Sequence, residues 1–128
     1  MQVLQAYYGL EDDSLWQLAT GLGAGVSRRG FTCGALTGAV LACGLATAQQ
    51  RGSTKEDRRG LREDTYSRVQ ELSRRFEARF GMVECRAMTG CDFLTPEGQA
   101  DFKKNRGMEL VCRPAVRLAV ETVVDVCG

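Results

Sequence analysis

Between about Glu56 and Phe80 an apolar position recurs at nearly every helical turn, and this stripe fixes the class of fold open to the chain. Leu61, Thr65, Val69, Leu72, Phe76 and Phe80 follow one another at intervals of four or three, the spacing that keeps side chains on one face of an α-helix. Asp64 with Arg68 and Glu71 with Arg75 lie four apart on the other faces, where opposite charges support a helix. Gly81 stops it. A helix this long must bury its apolar face against other elements, and no segment strings together the β-branched alternation of a strand.

Its partners are therefore helices. Thr32 is a candidate cap for a helix from Cys33 to about Gln49. There Gly34, Gly38 and Ala42 recur every four residues and let another backbone approach closely, which places this helix centrally. Asp13-Ser14 caps a short helix, Leu15 to Thr20, and Met1 to Tyr8 reads as the tail of another. Thr95-Pro96-Glu97 opens a helix to about Lys104. A last helix runs from about Glu109 to Val126, with Cys112, Val116, Val120, Val123 and Cys127 on one side. Gly21 to Gly30 is a glycine-rich loop, Gln50 to Lys55 a polar linker and Met82 to Leu94 an irregular stretch. With 128 residues, one core is expected. The expectation is an all-α, compact, single-domain bundle of about five helices spanning 1–128, with a glycine-rich loop.

The chain has no histidine, which removes Ser-His-Asp and Cys-His nucleophiles, His-ligated zinc and an axial His to haem. Seventeen basic against sixteen acidic side chains leave a net charge of +1, which argues against nucleic acid as a partner. The longest apolar region, Cys33 to Ala48, is broken by glycines and is shorter than the ~20 residues of a membrane span. No basic leader with an apolar stretch opens the chain, so a cytoplasmic location is expected. There, cysteines are more often reduced, metal-bound or catalytic than a disulfide framework.

Chemistry thus rests on Cys33, Cys43, Cys85, Cys91, Cys112 and Cys127. At ~1.5 Å per residue, Cys33 and Cys43 lie about 15 Å apart along one helix, and Cys112 and Cys127 about 22 Å along another. Neither pair can share a small site. Cys33 leads, because the start of a helix favours a thiolate. Gly23, Gly25 and Gly34 would let backbone amides approach a sulfur or a cluster, and Arg28 and Arg29 would add positive potential. Cys85 and Cys112 complete the expected set, with Cys91 as a further metal ligand, although Thr89-Gly90 suggests that Cys91 sits in an exposed turn. Cys43, on an apolar face with Leu36 and Ala39, reads as core, and Cys127 as incidental. The loop Gly21 to Gly25 lacks the strand before it and the Lys-Ser/Thr after it that a phosphate cradle needs.

Around Thr32-Cys33-Gly34-Ala35-Leu36-Thr37-Gly38 the chain resembles the CGAxxG family of redox-active proteins, whose pattern is written C-GCAxxG-C-C. The likeness takes in Gly21-Leu22-Gly23-Ala24-Gly25, Gly44-Leu45, Phe76-Glu77-x-x-Phe80-Gly81, Cys85-Arg86 and Cys112. The resemblance implies a site of four cysteines, of which Cys33, Cys85 and Cys112 match three. The first, in an N-terminal helix reading roughly Asn-Cys-Ala-Gln, is not matched. A similar module in split-Soret cytochromes carries an iron–sulfur centre beside haems; this chain has no Cys-x-x-Cys-His for haem attachment.

Three readings follow. One is a thiol-based redox or electron-transfer protein, using a dithiol/disulfide pair or an iron–sulfur cluster and a redox partner protein. Another is a zinc- or copper-binding module without redox activity. The third is a structural or partner-binding helical domain. The sequence is compatible with a chain that carries a cofactor or none, with an enzyme or a carrier, and with a monomer or a homodimer.

Overall fold

The computed structural model describes residues 1–128 except Glu11 and Ser53, so one residue of the expected 50–55 linker lies outside the described residues. It is all-α: among the described residues the only β-type pairing is an isolated antiparallel bridge between Thr32 and Glu84. In chain order the elements are α1 (Gln2–Tyr7), α2 (Ser14–Ala19), a short turn α3 (Gly23–Val26), α4 (Gly34–Arg51), α5 (Arg58–Phe80), α6 (Cys85–Thr89), α7 (Pro96–Lys104) and α8 (Arg113–Cys127).

Three helices, α4, α5 and α8, pack against one another and enclose the core. From α4 come Leu36, Ala39, Ala42, Cys43 and Ala46; from α5, Leu72 and Phe76; from α8, Ala115, Ala119, Val123 and Cys127. The small residues of α4 and α8 let the backbones close together, and the Phe76 ring fills the remaining space. Leu4 of α1 plugs the same core. No helix of the described residues is long and apolar enough to cross a membrane.

Several expectations are met: α5 ends at Gly81 in the left-handed conformation, and Thr95 caps α7 by accepting from the Gly98 N–H at 3.0 Å. Others are corrected. The 82–94 stretch is not irregular throughout, because Cys85–Thr89 forms α6. Helix α4 begins at Gly34, with Cys33 rather than Thr32 in the capping position, because Thr32 is held extended opposite Glu84. The Asp64–Arg68 pair does not form. Asp64 instead pairs with Arg51, while Arg68 turns toward α4, donating to Thr47 Oγ1 at 3.2 Å and Gln50 Oε1 at 2.7 Å. The 71–75 pair does form, at 2.7 Å.

The last helix meets its expected phase at Val123 and Cys127 and departs from it earlier. Residues Met108–Cys112 form a π-turn before α8, and its wider winding displaces the first half of the stripe by about one residue. The buried side is Ala115, Ala119, Thr122, Val123 and Cys127, while Val116 is exposed.

Candidate thiol site

Cys33 and Cys85 are held by a backbone clasp. The Cys33 N–H donates to the Val83 carbonyl at 2.7 Å, and the Cys85 N–H donates to the Phe31 carbonyl at 2.6 Å, one bond on either side of the Thr32–Glu84 bridge. Pleating turns the residues flanking a bridge to the face opposite the bridging pair, so Cys33 and Cys85 share a face. From there each enters a helix: Cys33 caps α4 and Cys85 is the first residue of α6.

The glycine-rich loop packs beneath this clasp. Residues 24 to 28 all hold positive φ, from 52° to 71°, as does Gly30 at 72°. The Gly25 carbonyl accepts from the Phe31 N–H at 2.9 Å and the Ala24 carbonyl from the Gly30 N–H at 3.3 Å. Gly25 is buried, and a Cβ added there would lie 2.6 Å from Cys85 Cβ and 2.7 Å from the Phe31 nitrogen. Only glycine fits both the left-handed backbone and the gap. At Gly34 an added Cβ would lie 2.9 Å from the Leu22 carbonyl oxygen, whereas at Gly23 it would meet nothing within 4 Å. The Arg29 guanidinium stacks over the Phe31 ring at 5.0 Å, keeping a positive charge beside the clasp.

Cys112 ends the π-turn that leads into α8. It lines an open groove of about 470 Å³ with Val3, Met108, Val116 and Val120. The Cys85 thiol is pushed up to about 11, by burial first and by negative charge on Cys33, Cys112 or Cys91 second. The Cys112 thiol is also raised, by burial first and by Cys33 second. Charge on Cys33, Cys112 or Cys91 thus acts on Cys85, and charge on Cys33 acts on Cys112. Cys91 is not in an exposed turn. It is 3% exposed, and its thiol donates to the Thr89 carbonyl at 3.3 Å. Gly90 reverses the chain in a left-handed cap and carries Cys91 inward.

The remaining two cysteines depart from expectation together. Cys43 is core, as expected, but Cys127 is not incidental: it is buried on α8 with its Sγ 3.0 Å from Cys43 Sγ. The sequence carries a signal for this, since both lie on apolar faces of helices expected to pack on each other.

Thiolates are the donors that iron–sulfur clusters and soft metals require. Among the described residues, however, no three cysteine, aspartate or glutamate side chains converge closely enough to hold a metal ion.

Neither a curated protein nor a solved structure matches the chain. A family model, described as "Putative redox-active protein (C_GCAxxG_C_C)", matches residues 1–126. That span takes in the clasp, the left-handed loop and Cys112, and the chain belongs to this C_GCAxxG_C_C family.

Proposed function

We propose that the chain is a thiol-based redox protein whose working groups are Cys33, Cys85 and Cys112. What carries this reading is the clasp, which ties the two thiol-bearing helix starts into one frame. Cys33, the more exposed of the two clasped cysteines, is the attacking thiol. Its thiolate attacks one sulfur of a partner disulfide, that S–S bond breaks, and one partner thiol leaves with a proton. Cys85 then loses its proton and attacks Cys33 Sγ, and the second partner thiol leaves. The chain loses two electrons and two protons, and the partner disulfide gains both. Cys112, on the groove side, senses charge on Cys33 and is the alternative second thiol in this reading. The oxidant is a redox partner protein or a small disulfide, and in a reducing compartment such as the cytoplasm the resting state is the dithiol.

Thiol titration of Cys33→Ser, Cys85→Ser and Cys112→Ser after oxidation tests this. Loss of Cys33 is expected to abolish oxidation of its partner thiols, while independent, additive loss of one thiol per variant would overturn the shared site. Metal and sulfide analysis of anaerobically prepared protein separates exchange from ligation: stoichiometric iron or zinc would replace the dithiol reading with a metal centre.

A further inference from the structure

Cys43 and Cys127 stand 84 residues apart in sequence, on α4 and α8, with their sulfurs 3.0 Å apart in the core. A disulfide needs about 2.05 Å, so closing the bond takes about 1 Å of approach between two helices already packed on each other. Both cysteines lie in the apolar core, where a thiol packs as a small apolar group, but a set of polar groups borders this pair. The Thr47 hydroxyl donates to the Cys43 carbonyl at 2.7 Å, Gln50 Nε2 donates to the Cys127 carbonyl, and Arg68 bonds both Thr47 and Gln50. The Tyr8 hydroxyl lies buried without a hydrogen-bond partner, near enough to both sulfurs for their charge to raise it.

We propose that Cys43 and Cys127 form a second dithiol/disulfide couple, separate from the Cys33–Cys85–Cys112 site, which staples α4 to α8 when a small-molecule disulfide oxidises the chain. Cys127 is the attacking member. Either sulfur can donate the hydrogen bond between them; with Cys43 donating, Cys127 is lowered and Cys43 raised, and the Arg68 charge adds to the lowering of Cys127. The Cys127 thiolate attacks one sulfur of the small disulfide, and one small thiol leaves with the proton Cys127 gave up. Cys43 then loses its proton and attacks Cys127 Sγ, and the second small thiol leaves with that proton. Two electrons and two protons pass from the chain to the small disulfide. Because both sulfurs are buried, exchange proceeds as the core opens and closes.

The full chain, refolded to equilibrium across a series of oxidised-to-reduced glutathione ratios, tests the proposal. It is quenched in acid, unfolded, alkylated and mapped by mass spectrometry. The expected result is a peptide linking Cys43 to Cys127, lost together with its higher urea midpoint in Cys127→Ser. In a variant with Cys33, Cys85, Cys91 and Cys112 all replaced by serine, the link should form as readily. Two free thiols at the most oxidising ratio, separate glutathione adducts, or a link from Cys43 to another cysteine would overturn it. Failure of the Cys33 site leaves this result untouched, because that variant lacks the Cys33 site altogether.

Discussion

Gly25 and Cys85 pack so closely that a single methyl group added on Gly25 would overlap Cys85 Cβ. The left-handed loop is thus the floor on which the buried thiol rests.

Gly25→Ala should cost roughly 3 kcal/mol, combining the left-handed penalty on a non-glycine residue with overpacking. Gly23→Ala, with nothing within 4 Å of the added carbon, should stay within about 0.5 kcal/mol of the parent. Urea unfolding of the two variants checks the contrast, and equal losses would mean that the loop does not bear on Cys85.

Stability should decline in alkali. The Cys85 thiol, ordinarily at 9.0, stands at about 11 because burial disfavours its charged form. Below pH 9 the thiol is neutral whether folded or unfolded, and its contribution is complete. Between pH 9 and 11 only the unfolded chain ionises, and about 2–3 kcal/mol is lost. Tyr8, raised to about 12 mainly by burial, extends the decline above pH 10. Unfolding free energy against pH should fall less steeply in Cys85→Ser, and parallel curves would remove the thiol as the cause.

Removing Cys33 should let Cys85 and Cys112 ionise more easily, since its negative charge raises both. Burial is the larger cause for each, so the shift should be partial. Alkylation rate against pH, measured peptide by peptide in Cys33→Ser, reads it. Unmoved profiles would mean the sulfurs do not sense one another.

At the start of α7, Thr95→Ala removes the acceptor for the Gly98 N–H and should cost about 1 kcal/mol. Thermal unfolding of this variant checks it, and an unchanged midpoint would show water replacing the cap at no cost.

The α5 stripe is legible in the sequence because Leu72 and Phe76 obey simple helical periodicity and are buried where it puts them. The cap at Thr95 is legible because its chemistry is local. What escapes a sequence reading is set by partners distant along the chain. Thr32 has the chemistry of a cap, but Glu84 across the bridge keeps it extended. Arg68 has an acid four residues earlier, yet the polar end of α4 draws it away. The first turns of α8 slip because a π-turn has no strong residue signature, so counting from Cys112 runs one position out at Ala115 and Ala119 and comes right at Val123 and Cys127. Of the thiol site, three cysteines can be named from the pattern around Cys33. The clasp that joins two of them cannot, because each of its bonds spans fifty residues or more.

The run of positive φ from Ala24 to Arg28 has a consequence for chirality. Five successive residues adopt the conformation natural to D-amino acids, and only Gly25 among them is achiral. Each of the other four is held in a backbone state disfavoured by roughly 1–2 kcal/mol for its own hand. Val26, β-branched and exposed, bears this worst. In a chain made by chemical synthesis, the mirror-image residue at position 26 would be the better fit, and the protein would tolerate there the inversion that almost any helix position would reject.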